Sequence, residues 1–264
     1  MRVGVLGATG RMGLSSCRAV LGASDLELVA AVARGAAGTE LRELVAEAPA
    51  GLRVRGAPED LLDAKAEVVI DFSVPEATLA AARLLLPAGV HLVSGTTGLP
   101  AASMDELASL AGEQGAGNAV WAPNFALGAV LAQRFATIAA RYYPAAEVIE
   151  LHHAGKADAP SGTALATATR MAAASAQWAP DPTRTEVVPG ARGGAGPAGI
   201  RLHSVRMRGM VAHQEVILGA EGQTLTLRQD SYDRSSYMPG VVLACATIAD
   251  HPGVTVGLDA FLGL

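Results

Sequence analysis

Arg2-Val3-Gly4-Val5-Leu6-Gly7-Ala8-Thr9-Gly10-Arg11-Met12-Gly13 stands almost at the start of the chain, and its reading decides the fold. Residues 2–6 are a short, largely apolar strand that runs straight into a turn with glycines at positions 7, 10 and 13. A strand, a glycine turn and a helix in that order let a pyrophosphate approach backbone N–H groups, with the positive end of the helix aimed at it. The spacing is G-x-x-G-x-x-G, because Thr9 and Met12 occupy the second and third glycine positions of the more familiar G-x-G-x-x-G. Taken alone, such glycines also serve merely to turn a chain tightly. Their place on the first strand of a strand–helix alternation favours a dinucleotide site, with Gly7, Ala8, Thr9, Gly10, Arg11 and Met12 as its contacts.

Outward from this motif, short Val-rich runs alternate with helical patterns. Strands are expected at Arg2–Leu6, Leu26–Val32, Val68–Phe72, Val90–Ser94 and Ala119–Ala122, and helices at Arg11–Leu21, Glu76–Leu86 and Ser103–Glu113. The alternation implies right-handed crossovers and a Rossmann-like, doubly wound parallel sheet of the α/β class. After Asn124 the rhythm changes. A helix over about Phe125–Tyr142 leads to a strand at Ala146–Leu151, and a helix capped by Ser161 runs to about Gln177. The Pro- and Gly-rich Ala179–Gly199 reads as a loop, followed by strands at Ile200–Met207, Glu215–Leu218 and Thr224–Arg228. Consecutive strands without helices between them imply a second, α+β domain with an open mixed sheet. A helix over about Pro239–Ile248 and a short tail close the chain.

The end of the second strand bears on cofactor choice. An acid there holds the ribose 2′-hydroxyl of NAD, and an arginine accommodates the 2′-phosphate of NADP. The chain reads Ala31-Val32-Ala33-Arg34-Gly35, with no carboxylate and one arginine, so NADPH is expected to be preferred over NADH. Arg34 as a solvated loop residue is the plainer alternative. Gly95-Thr96-Thr97-Gly98 and Ala122-Pro123-Asn124-Phe125 follow two further strands on the same side of the sheet, where backbone groups can meet the nicotinamide and its ribose.

The most informative stretch is Glu150-Leu151-His152-His153-Ala154-Gly155-Lys156-Ala157-Asp158-Ala159-Pro160-Ser161-Gly162-Thr163. Two histidines and a lysine follow a strand, and Ser-Gly-Thr opens a helix. A helix start with hydroxyls offers donors to a carboxylate, and His and Lys add positive charge and transferable protons. The set suits a carboxylated substrate that must receive a proton. Simpler roles exist for single members: Asp158 can pair with Lys156, and Ser161 can cap its helix. The paired histidines lack the carboxylate or cysteine that would complete a familiar zinc set, so no metal is expected.

Half the residues are hydrophobic, 17% are charged and 4% are aromatic, so the core must be built mainly from Ala, Val and Leu. A formal charge of −5 without a basic patch argues against nucleic acid as a partner. Neither cysteine, Cys17 or Cys245, has metal-ligand spacing, and two isolated thiols suit a reducing cytosol. With a strand at the N-terminus and no apolar run of about 18 residues, neither a signal peptide nor a membrane span is expected, and the expected location is cytoplasmic.

These residues resemble the dihydrodipicolinate reductase family, whose hallmark E-x-H-H-x-x-K-x-D-A-P-S-G-T-A is matched at every marked position from Glu150 to Ala164. The resemblance also takes in Gly7–Gly13, Asp71-Phe72-Ser73 with Pro75-Glu76, Gly95–Gly98, Ala122–Phe125, His203-Ser204-Val205-Arg206, Asp233-Arg234 and Pro239-Gly240. Val211-Ala212-His213-Gln214-Glu215-Val216 is similar to the actinobacterial type, without the Gly-Glu-His of many members. The resemblance implies NAD(P)H-dependent reduction of 4-hydroxy-tetrahydrodipicolinate, a cyclic dicarboxylate, to tetrahydrodipicolinate and water in lysine and diaminopimelate synthesis. It implies His152 as proton donor or acceptor, Lys156 as a proton donor that also steadies the imine nitrogen, and His153, Gly162 and Thr163, with Ser161, as carboxylate anchors. Phe72 joins the cofactor set. A homotetramer joined through the second-domain sheets is implied, as is a final helix that returns to the first domain. The expected domains are therefore 1–125 plus 235–264 for the dinucleotide and 126–234 for substrate and assembly. Ala33 departs from the acid many members carry. Two rivals remain at this point, another dehydrogenase of the same architecture and a non-catalytic NADP(H) sensor; the first leaves the Ser-Gly-Thr cradle unexplained and the second the proton donors.

Overall fold

The computed structural model describes the backbone of residues 1–264 and the side chains of all but residue 101. The chain divides into two compact units, Met1–Ala126 with Arg234–Leu264, and Leu127–Asp233.

The first unit begins with β1 (Arg2–Leu6), α1 (Arg11–Gly22) and β2 (Glu27–Val32). A two-residue strand β3 (Val54–Arg55) and a short helix α2 (Glu59–Asp63) follow, both outside the expected elements. Then come β4 (Val68–Asp71), α3 (Pro75–Leu85), β5 (His91–Ser94), α4 (Ala101–Ala111) and β6 (Ala119–Trp121). Every residue of β4 is buried, as a central parallel strand covered on both faces requires. Pro75 starts α3, where its missing N–H costs nothing, and Glu76 complements the helix dipole.

The second unit comprises α5 (Leu127–Ala139), β7 (Ala145–His152), α6 (Gly162–Ala174), β8 (Gly194–Ala195), β9 (Arg201–Arg206), β10 (Ala212–Ala220) and β11 (Gln223–Ser231). Its sheet runs β11-β10-β7-β9-β8. β7 and β9 are parallel, joined across α6, whereas β10 is antiparallel to both β7 and β11. β10 and β11 have nine residues each, longer than their apolar runs suggest, because polar positions such as His213 and Gln214 also pair in the ladder. Ala146 and Val148 of β7 join Ala136, Ala164, Ala168 and Met171 in a core under α5 and α6. Between those buried positions, Glu147, Ile149 and Leu151 are half-buried and point to the other face. The loop after α6 is tied down by Arg192, which donates to both oxygens of Glu147 at 2.8 and 2.5 Å.

The chain then returns to the first unit with α7 (Met238–Thr247) and β12 (Val254–Val256). Gly240 of α7 packs on the chain at Phe125 so closely that a Cβ would lie 2.1 Å from its carbonyl oxygen. The expected tail is thus partly a strand: Val254 to Val256 pair in parallel with Ala119 to Trp121. The completed sheet is β12-β6-β5-β4-β1-β2-β3, parallel throughout. Its strand order reverses between β1 and β4, the switch point where open α/β sheets bind ligands.

Candidate active site

In the first unit, a cleft of about 510 Å³ opens at that switch point. Its walls include Leu6 and Gly7 after β1, Ala33 and Arg34 after β2, Gly56 and Pro58 near β3, and Ser73, Val74 and Glu76 at the start of α3. The glycine turn is shaped by close contacts. Gly7 has φ +75°, and a Cβ on it would lie 2.8 Å from Phe72 O; one on Gly13 would lie 2.1 Å from Gly7 O. Gly10 caps α1 with no side-chain hydrogen bond, which leaves first-turn N–H groups for an anion. The residues therefore fit a dinucleotide. Gly7, Thr9 and Arg34 of the expected contacts stand in the cleft wall, Ala8 is buried behind the turn, and Gly10 and Arg11 are exposed on its helix side, next to Met12.

Other expected contacts cluster at the ends of β4, β5 and β6. Gly95 lies against the Phe72 ring, where a Cβ would approach within 2.1 Å, and Phe72 meets Phe125 edge-on at 5.8 Å between centroids. Trp121 donates from Nε1 to Thr96 O at 2.7 Å, and Asn124 Oδ1 accepts from Ala126 N at 2.9 Å. Ala122 is buried, with its N–H bonded to Ser94 O, while Thr97 and Pro123 are exposed. Beneath these loops lies Asp71, wholly buried. It accepts from Ser73 N and Oγ at 3.0 and 2.5 Å, from Thr78 Oγ1 at 2.6 Å, from Ser94 Oγ at 2.8 Å and from Thr96 Oγ1 at 3.0 Å. Sequence reasoning assigned Asp71 no role. The available signal was a carboxylate ending an otherwise apolar buried strand.

In the second unit, the expected residues meet around an unexpected one. Alternation along β7 puts Glu150 on the same face as Ala146 and Val148, and its residue is 0% exposed. A carboxylate there demands donors. Arg206, on the neighbouring β9, supplies a two-pronged grip: Nη1 to Oε2 and Nη2 to Oε1, each 2.7 Å. Ser161 N donates to Oε1 at 3.1 Å, and His152 Nδ1 lies 2.5 Å from Oε2. Burial would raise the Glu150 carboxyl, but Arg206, Ser204, His152 and the Ser161 N–H outweigh it and hold it down to about 2.

The remaining residues hang on this core. Arg206 Nη2 also donates to Asp158 O at 2.6 Å, and Lys156 Nζ donates to Asp158 Oδ1 at 2.9 Å. Ser161 is buried and its oxygen accepts from Ala164 N at 3.2 Å, so it caps α6. Gly162 is exposed, with open space where a Cβ would be. His153 is exposed, its N–H bonded to Val211 O at 3.4 Å. Partial burial lowers the His152 pKa, helped by the charges of Lys156 and Arg206 and opposed by Glu150. The shift favours the neutral imidazole and makes the protonated ring a stronger proton donor. Glu150 and Arg206 stand within the sequence motifs, which by themselves assign them no role. A glutamate at a core-facing position of a strand is the sign that could have found them.

Comparison with known proteins accounts for both units. Residues 1–125 match the model for "Dihydrodipicolinate reductase, N-terminus" and residues 128–262 that for "Dihydrodipicolinate reductase, C-terminus". A 4-hydroxy-tetrahydrodipicolinate reductase of Nocardia farcinica is 47% identical over 268 residues, spanning 100% of this chain and 99% of the relative. One from Mycobacterium marinum is 43% identical over 265 residues, spanning all of both chains. The dipicolinate-bound dihydrodipicolinate reductase from Paenisporosarcina sp. TG-14 superposes with a TM-score of 0.87 at 37% identity, over 98% of each chain. With both halves matched, and with relatives this similar along the full length, the chain belongs to the dihydrodipicolinate reductase family.

Proposed function

We propose that this chain reduces 4-hydroxy-tetrahydrodipicolinate to tetrahydrodipicolinate and water with NAD(P)H, in the cytoplasmic synthesis of lysine and diaminopimelate. The observation that carries the residue roles is the single hydrogen-bonded set in the second unit, in which Glu150 links His152 to the first turn of α6 and Arg206 links it to the loop bearing Lys156. His152 and Lys156 handle the proton. His153 and the α6 start, Ser161, Gly162 and Thr163, offer donors to the substrate carboxylates. Bound nicotinamide supplies the hydride. No helix among the described residues is long and apolar enough to cross a membrane.

His152→Gln tests the central role. General acid–base catalysis contributes roughly 10²–10⁴-fold, so kcat should fall within that range, while inhibition by pyridine-2,6-dicarboxylate changes little. A kcat close to the parent's would remove His152 from the mechanism.

NADPH is the preferred cofactor in this reading. Arg34 stands in the cleft wall beside Ala33, which carries no acid, and a guanidinium gives a 2′-phosphate two donors. Glu76 lines the same cleft and opposes a phosphate, which holds the expected differential to about 1–2 kcal/mol, roughly five- to thirtyfold in kcat/KM. Ala33→Asp/Arg34→Ala should move the ratio toward NADH; a parent that already favours NADH refutes the assignment.

Assembly into a tetramer through the open face of the second sheet belongs to the same reading, and it is supported by Ile149, Leu151, Val205 and Ile217, half-buried apolar residues on the side away from α5 and α6. Light scattering at 26.7 kDa, the mass of one chain, would exclude it.

A further inference from the structure

We infer that Glu150 is a positioning residue that selects the tautomer of His152, and that Arg206 with the Ser161 N–H clamps Glu150 for that purpose. The inference rests on His152 being the proton-transfer residue, as proposed above.

Ionised Glu150 accepts and never donates, so the imidazole nitrogen 2.5 Å from it, Nδ1, must carry a hydrogen. A neutral ring then has its lone pair on Nε2, and a protonated ring presents an N–H there. The proton exchanged with substrate is therefore the one at Nε2. Rotation of the carboxylate would undo this, and three donors on two oxygens prevent it: Arg206 holds Oε1 and Oε2 at once, and Ser161 N holds Oε1. Strand pairing fixes the clamp in turn, since β7 and β9 lie in parallel register with Glu150 opposite Ser204 and His152 opposite Arg206.

A carboxylate beside imidazole makes the ring more basic, yet burial outweighs Glu150 and lowers the His152 pKa, with the charges of Lys156 and Arg206 adding to it. His152 is thereby oriented without becoming a poor proton donor. Orientation and acidity, which a bare His–Glu pair would set against each other, are reconciled by burial of the ring, with Arg206 holding the carboxylate and adding a smaller charge effect.

Glu150→Gln makes the test sharp. Glutamine keeps the size but has one acceptor oxygen, for which Arg206 and Ser161 N compete, leaving its NH₂ toward His152. An amide donor there forces Nδ1 to accept and moves the hydrogen to Nε2. Nitrogen-15 NMR of the imidazole, in the absence of cofactor and substrate, reads this directly. The parent should show Nδ1–H above the His152 titration, and Glu150→Gln should show Nε2–H. The variant's kcat should fall by about 10²–10⁴-fold with a displaced pH profile, while the inhibition constant of pyridine-2,6-dicarboxylate stays near the parent's. An Nε2–H tautomer in the parent overturns the inference, and that measurement does not depend on the variant folding. A Glu150→Gln protein with the parent's tautomer and kcat overturns it too. If His152→Gln keeps its activity, the functional reading itself fails; if only Glu150→Gln keeps its activity, that reading stands and this inference falls.

Discussion

Asp71, at the end of β4, and Glu150, two residues from the end of β7, are both wholly buried carboxylates, yet their partners belong to different chemical classes. Asp71 is surrounded by one backbone N–H and four hydroxyls, all neutral. Glu150 is held by a guanidinium, an imidazole and a backbone N–H, with the Ser204 hydroxyl the one neutral side chain beside them. Hydroxyls rotate and exchange donating for accepting, so the Asp71 cluster can rearrange around a changed centre. A guanidinium only donates, and removing it strands a charge. The first arrangement suits a scaffold that gathers loops from β4 and β5 beside the cofactor cleft. The second suits a site where one side chain must be held in one protonation pattern.

The comparison is most exposed to Arg206→Met. This change leaves Glu150 buried without its cation, and breaking one side of a buried pair typically costs about 3–5 kcal/mol. Urea unfolding of the parent and variant at neutral pH should show a loss of that size. A loss under about 1 kcal/mol, the range of exposed pairs, would mean that Glu150 is compensated by other means.

Acid should separate the two carboxylates next. The Glu150 pKa is depressed from 4.5 to about 2 in the fold. The stability it contributes is thus fully present above about 4.5 and is lost as pH falls toward and through 2; a depression of this size is worth about 3 kcal/mol. Unfolding midpoints measured between about pH 5 and 2.5, a window covering most of that loss, should drop more steeply in the parent than in Glu150→Gln. Parallel curves would show that Glu150 does not carry the acid sensitivity.

The smallest change is expected for Asp71→Asn. The amide retains the shape and one acceptor, and the hydroxyls around it can turn, so the cost should be about 1–3 kcal/mol, the price of imperfect hydrogen bonding in a buried site. NADPH affinity, followed by fluorescence, should weaken along with stability because Ser73 and the loop after β5 shift together. Should Asp71→Asn cost more than Arg206→Met, the contrast between neutral and charged solutions is reversed.

Much of this organisation was legible along the chain. The glycine turn, the alternation of strands and helices, the change of rhythm after Asn124 and the fourteen residues from Glu150 to Thr163 are local patterns, and the fold class and family follow from them. Less legible were short elements with little apolar periodicity of their own. β3 has two residues and β12 three, and both exist because a neighbouring strand edge in the parallel sheet offers them hydrogen bonds. The cleft wall likewise takes Ser73, Val74 and Glu76 from the start of α3, and the motif that includes Ser73 and Glu76 does not by itself place them there.

By itself, then, the sequence determined the two architectures and the family, and it singled out the cluster from Glu150 to Thr163, because each of these is written in neighbours a few positions apart. Only the tertiary structure decided which nitrogen of His152 faces Glu150, and that Asp71 gathers hydroxyls from β5. Arg206 reaches Glu150 across 56 residues of chain, and Thr96 reaches Asp71 across 25. Contacts at such separations are set by strand order and register, which long-range packing selects and no local pattern encodes.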